Sequence, residues 1–197
     1  GLTAAHTVCG GGEVVGTTVL FCRVAGAVGH TAVQLAAWGG ARVISTCSPQ
    51  AREEIRSAGA DHVFDYADPD LAAKILEATD GHGIDRAVEV EFGQNLALLS
   101  EVMRPFGTIA TYGSGNDMTP TMSFGPLLFK ALKIDITLIY ILPDAQREAA
   151  IARLHDALAT GGLTPRIDKI FDFEDCAAAQ DAVMTPGRKG AVLLRTG

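Results

Sequence analysis

At 197 residues, 48% of them hydrophobic, the chain has room for one large domain, or one domain with an appendage, around a substantial core. Its formal net charge is −7, and no cluster of Lys or Arg covers a face, which argues against nucleic acid and anionic membranes as partners. No apolar run approaches the ~18 residues of a membrane span, no signal peptide is read, and the widely separated Cys9, Cys22, Cys47 and Cys176 fit reduced thiols of a cytoplasmic protein, not disulfides or a zinc site.

Residues 1–12 read as a helix ending at Gly10-Gly11-Gly12. The chain enters it from Gly1-Leu2-Thr3 without a methionine, as a piece of a longer protein would. Residues 19–22 are an apolar run of the length of a buried parallel strand. The turn Ala25-Gly26-Ala27-Val28-Gly29 follows, then an amphipathic segment over 30–38 that Gly39 and Gly40 stop. A second strand opens at Val43-Ile44 and ends in Ser45-Thr46-Cys47-Ser48. Strand, glycine turn, helix and strand within about thirty residues form the first βαβ unit of a dinucleotide-binding fold.

Farther on, 49–58 predicts a helix with Pro49 near its start and Gly59 as its stop, and 62–65 a short strand with Tyr66 at its carboxyl end. A helix from Asp68-Pro69 to about 79 precedes the turn Asp80-Gly81-His82-Gly83. Strands are expected at 87–92, 107–112 and 134–141, with helices at 95–103, 124–131 and 144–160. The whole predicts an α/β fold: a doubly wound parallel sheet of about six strands, ligand lying at their carboxyl ends. Residues 167–173, 173–184 and 191–195 read as strand, helix and strand, an appendage that breaks the rhythm. The expected boundaries are 1–165 for the sheet domain and 166–197 for the tail.

The turn carries the chemistry. A pyrophosphate needs backbone N–H groups aimed from a helix N-terminus, where roughly half a positive charge resides. It also needs no Cβ where it nears the backbone, hence Gly26, while Gly29 lets the helix approach the first strand. A full G-x-G-x-x-G would begin at position 24, which is Val24. A glycine-rich packing turn without a ligand is the alternative. Beyond the second strand no Asp or Glu stands until Glu53, whereas an NAD site places one there for the ribose hydroxyls. Ser45, Thr46, Ser48 and Arg52 offer what a 2′-phosphate takes, pointing to NADP(H), unless Arg52 is only a solvated helix residue.

No acid–base constellation emerges. Tyr66, Tyr112 and Tyr140 are followed four residues later by Asp70, Asn116 and Asp144, so no Y-x-x-x-K pair exists. No Ser-His-Asp context is present either. His6, His30, His62, His82 and His155 are isolated and read as structural or solvated; no metal ligands are assigned. Glu89 and Glu91 would share one strand face by period two. Either they form a pair of raised pKa near the cofactor, or one is solvated and the other satisfied by backbone or by Arg86.

The runs AGAVGHTAVQLAAWGGARVISTCS, SAGADHVFDY, VEVEFGQN, MRPFGTIATYGS and RKGAVLL, in that order over nearly the whole chain, resemble the medium-chain dehydrogenase/reductase superfamily. Within it the chain resembles the zinc-independent NADPH:quinone oxidoreductase branch, and only its cofactor-binding half with the tail that returns to a catalytic domain. The resemblance implies that Gly26, Ala27, Val28 and Gly29 hold the pyrophosphate and that Ser45, Thr46, Ser48, Arg52 and Tyr66 surround the 2′-phosphate. It implies Phe92, Gly93, Tyr112, Gly113 and Thr3 near the nicotinamide half, with catalytic residues unassigned. Ala27 stands where glycine is usual, Arg52 where lysine is common, and Glu89 and Glu91 add carboxylates to the pattern. Implied too are hydride transfer without metal to a quinone or enone, a fragment inactive alone, and a homodimer paired through residues 134–141. Other readings are a nucleotide-sensing or interaction module on this fold, an enoyl reductase or alcohol dehydrogenase of the same superfamily, and, more weakly, a methyltransferase.

Overall fold

The computed structural model describes residues 1–24, 26–185 and 190–196; Ala25 of the predicted turn and Arg188 and Lys189 of the RKGAVLL run lie outside them. Parallel strands β1 (Thr18–Phe21), β2 (Arg42–Cys47), β3 (His62–Asp65), β4 (Ile84–Glu89), β5 (Met103–Thr111) and β6 (Lys133–Ile136) form one sheet in the order β3-β2-β1-β4-β5-β6. The order reverses between β1 and β4, and at such a point the carboxyl ends of the strands open into a crevice.

Alternation along the strands supplies both faces. Val19, Phe21, Val43 and Cys47 pack under α1 (Leu2–Cys9), α2 (Ala27–Trp38) and α7 (Asp144–Ala159). Leu20, Ile44, Ala87 and Ile109 pack against α4 (Leu71–Glu77) and α5 (Phe92–Val102) on the other side. Burial on both faces is why these strands read as continuous apolar runs. The connections α3 (Arg52–Ser57) and α6 (Phe124–Phe129) complete the layers. No helix among the described residues is long and apolar enough to cross a membrane.

Three predicted strands change, the one expected at 107–112 being β5, which already begins at Met103. The strand expected at 87–92 is β4, ending at Glu89, and Phe92 opens α5 instead. The Glu89 carboxylate bends back to accept the N–H groups of Val90 (2.7 Å) and Glu91 (2.6 Å), which turns the chain out of the sheet. Glu91 therefore lies beyond the strand and bridges Ser114, so the two glutamates share no strand face. The strand expected at 134–141 stops at Ile136, because β5 ends at Thr111, the partner of Ile136 in register. Residues Ile139–Ile141 form a 3₁₀ turn.

The tail forms its own sheet. Strands β7 (Ile167–Asp172) and β8 (Ala191–Arg195) pair in parallel, with α8 (Cys176–Met184) between them in sequence. It meets the main body through the carbonyl and N–H of Thr164, both bonded to the Gln34 amide, and through an Arg166–Glu54 ion pair.

Candidate functional site

The crevice is built on the N-terminus of α2. Gly26 caps that helix in extended conformation, with no side chain among the described residues bonding its first N–H groups. A Cβ added at Gly26 would meet nothing within 4 Å, so the space beside the backbone is open. At Gly29 a Cβ would lie 2.6 Å from Val24 Cα and 2.9 Å from its carbonyl oxygen. Gly29 is thus the position where α2 and the turn after β1 approach most closely. Ala27 and Val28 stand between them, at and near the surface.

The turn itself departs from the motif one residue early. Val24, expected to replace the first glycine, is a core residue at 2% exposure. The left-handed residue is Arg23, with φ 56°, a conformation that favours glycine. Its N–H donates to Thr46 Oγ1 at 3.2 Å, and its guanidinium carbon lies 4.7 Å from the centre of the Tyr66 ring.

At the end of β2 the predicted phosphate ligands separate into two groups. Ser45 is fully buried opposite Phe21, and its hydroxyl has no hydrogen-bond partner among the described residues. Thr46 is buried too, with its oxygen accepting from Arg23. Both, expected around the 2′-phosphate, lie in the interior. Ser48, Arg52 and Tyr66 remain at the surface, Tyr66 with 42% of its area exposed. Burial pushes the Cys47 thiol up, and the charge of nearby Arg52 opposes that rise. Glu54, in the first turn of α3, is engaged by Arg166.

At the end of β4 stands Glu89, a carboxylate with no exposed area. Besides the two backbone N–H groups, both of its oxygens accept from Asn95 Nδ2 at 3.0 Å. Of the two roles open to it, satisfaction by backbone is the one observed; Arg86 instead donates to the Thr7 carbonyl at 2.9 Å. Burial, and then Glu89, push the Cys22 thiol well above its ordinary value, and the same causes push the Tyr112 hydroxyl up to about 12. Both groups stay protonated at neutral pH. Glu91 Oε2 accepts the N–H of Asn116 at 3.0 Å, holding the 113–117 loop against the crevice.

Of the residues expected near the nicotinamide, Phe92, Gly93, Tyr112 and Gly113 stand at this same lip, with packing duties. Phe92 packs against the core on the α5 side. A Cβ at Gly93 would collide with the Asp117 carbonyl, and one at Gly113 would lie 2.7 Å from that of Val90. Tyr112 donates its N–H to the Glu89 carbonyl at 3.1 Å, and Thr3 sits in the first turn of α1. Among the histidines, burial pushes His30 down, and Gln34 contacts its Nδ1 at 3.0 Å. No three His, Cys, Asp or Glu converge as metal ligands among the described residues. Arg23 is the residue that sequence reasoning leaves out; its signal was a basic side chain directly after an apolar strand.

Comparison with known proteins fits this geometry. A family model described as zinc-binding dehydrogenase matches residues 27–156. A phenolphthiocerol/phthiocerol polyketide synthase of Mycobacterium tuberculosis is 28% identical over 199 residues, which is 98% of this chain and 9% of the synthase polypeptide. A 2-haloacrylate reductase of a Burkholderia species is 28% identical over 184 residues, 91% of this chain and 55% of the reductase. A crystal structure of 2-haloacrylate reductase superposes with a TM-score of 0.88 at 26% identity, over all of this chain and 63% of that one. Mycobacterial Rv1454c complexed with NADPH gives 0.81 at 25% identity, over 98% and 62%. The chain thus spans about half of the reductase and a small part of the synthase.

Proposed function

We propose, because the chain belongs to the zinc-binding dehydrogenase family of the medium-chain dehydrogenase/reductase superfamily, that it is the NADP(H)-binding domain of an oxidoreductase passing hydride to a quinone or another activated double bond. One observation carries this reading. The open N-terminus of α2 lies beside the reversal of strand order, and past β2 stand Ser48, Arg52 and Tyr66, with no Asp or Glu in the chain between Cys47 and Glu53, while Asp65, opposite Cys47 on β3, accepts the Ala67 N–H. Helix N–H groups suit the pyrophosphate, and a guanidinium with hydroxyls suits a 2′-phosphate that a carboxylate would repel.

In this reading Gly26 to Gly29 hold the pyrophosphate, and Ser48, Arg52 and Tyr66 the adenosine phosphate. The lip at Tyr112 and Gly113, fixed by Glu89 and Glu91, orients the nicotinamide half. Bound there, the reduced nicotinamide supplies the hydride. With Cys22 and Tyr112 held neutral by burial, the chain's own part is positioning and exclusion of water. Its described residues offer no donor set for the zinc of the family name.

Residues 1–165 form the cofactor domain, and 166–197 the return to a catalytic domain that completes the substrate pocket. Exposed Ile167, Ile170, Leu193 and Leu194 on the small sheet support a covering partner there. Alone, the chain binds cofactor without turnover. The match to a polyketide synthase favours a second reading, an enoyl reductase unit within a larger protein. Free thiols support a cytoplasmic location, which cell fractionation checks.

The whole protein tests this directly. It is expected to consume NADPH, much faster than NADH, with a quinone or an α,β-unsaturated carbonyl as acceptor. Tight NADPH binding without consumption would favour the sensing module instead. We also propose a homodimer joined along β6, an edge strand whose Ile136 is 77% exposed and is followed by exposed Leu138 and Tyr140. Sedimentation as a dimer at on the order of tens of micromolar, shifted toward monomer by Ile136→Asp, is the expected result. A monomeric parent at that concentration contradicts it.

A further inference from the structure

Arg23 occupies a place that favours glycine, and its side chain is directed across the carboxyl ends of β1, β2 and β3. The backbone N–H is tied to Thr46 of β2, while the guanidinium reaches the Tyr66 ring beyond β3. In doubly wound sheets the adenosine ribose is bound just past the end of the second strand. That point lies between the two anchors of Arg23.

Arg42, Arg104, Arg147, Arg153, Arg166 and Arg195 each face a carboxylate, whereas Arg23 is in no ion pair among the described residues. No side-chain hydrogen bond engages its guanidinium there either, and its contact with Tyr66 is a cation–π one, with Cζ 4.7 Å from the ring centre. The edge N–H groups, which form the fork that takes a phosphate, stay available. Arg52 is likewise in no ion pair among the described residues; its charge acts on the thiol of Cys47, whose carbonyl accepts the Tyr66 N–H, in a chain of net charge −7. A left-handed arginine is a strained choice, and strain of this kind is retained where a ligand rewards it.

We propose that Arg23 is a specificity-determining ligand of the 2′-phosphate of NADP(H), gripping it together with Arg52 while Tyr66 holds the guanidinium in place. This rests on the NADP(H) reading above. Calorimetric titration of the whole protein with 2′,5′-ADP and with 5′-AMP tests it. Arg23→Gln is expected to weaken 2′,5′-ADP about tenfold, equivalent to about 1.4 kcal/mol, and to leave 5′-AMP within about twofold. Arg23→Gly relieves the left-handed backbone, so it is expected to lose the same affinity while its thermal midpoint stays within about 2 °C of the parent or rises. A side chain that merely covered Tyr66 would lower the midpoint and spare the affinity.

Equal losses for both nucleotides, or none for 2′,5′-ADP in either variant, would overturn the proposal. A parent that discriminates, loses that ability in Arg52→Ala and keeps it in both Arg23 variants overturns this inference alone. A parent that binds 2′,5′-ADP no better than 5′-AMP overturns the NADP(H) reading, and this inference with it.

Discussion

Glu89→Ala is expected to lower the stability of the fold by about 3–5 kcal/mol, a large part of the margin of a typical domain. The carboxylate is wholly buried, and its oxygens accept from the N–H groups of Val90 and Glu91 and from the Asn95 amide. Truncation leaves those donors without an acceptor, at about 1–3 kcal/mol for each that stays dry, and opens a cavity between β4 and α5. For a chain of this size the midpoint should fall by on the order of 10 °C. Glu89→Gln keeps an acceptor oxygen at the same place and should recover most of the loss. An alanine variant within about 1 kcal/mol of the parent in denaturant unfolding would mean that water replaces the carboxylate and that Glu89 does not set the end of β4.

The second large effect separates two glycines three residues apart. Gly29→Ala puts a Cβ 2.6 Å from Val24 Cα, and the obstacle is backbone, which cannot rotate aside. Either α2 retreats or the turn deforms, at a cost of about 1–3 kcal/mol. Dinucleotide affinity should fall with it, since the displaced helix end carries the N–H groups. Gly26→Ala meets nothing within 4 Å, so its stability should match the parent. Its methyl would nevertheless stand beside the pyrophosphate path, and NADPH affinity should drop. Thermal unfolding with NADPH titration on both variants checks this. Parent-like affinity in Gly26→Ala would remove Gly26 from the site.

Much of the fold was legible because burial on both faces writes parallel strands as apolar runs. The run ending at Cys22 and the glycine stop after Trp38 marked the first βαβ unit within a residue or two of β1 and the end of α2. Boundaries failed where the cause lay outside the local pattern. Glu91 and Phe92 continue an apolar alternation, and nothing in that alternation reveals that Glu89 folds back onto the N–H groups that follow it. Likewise, residues 134–141 look like one long strand, but the length of β6 is set by where its neighbour β5 ends.

The candidate site was legible in its glycines and less so in its hydroxyls. Gly26 and Gly29 are distinguishable by spacing, and the structure has an open position at the first and a tight one at the second. Ser45 and Thr46 looked equivalent to Ser48 in composition. Their depth follows from register, since Ser45 lies opposite Phe21 in the middle of the sheet. Arg23 was missed because a left-handed backbone is anticipated at glycine, and this chain forms it at an arginine.

A dinucleotide site that selects the 2′-phosphate through Arg52 stands or falls on thermal unfolding with NADP⁺ and with NAD⁺. A ligand at about a hundred times its Kd adds roughly 2.7 kcal/mol, worth on the order of 5–10 °C here. The expected result is that rise with NADP⁺, little with NAD⁺, and a smaller NADP⁺ shift in Arg52→Ala. Equal shifts from both nucleotides, unchanged in Arg52→Ala, would contradict selection by the 2′-phosphate.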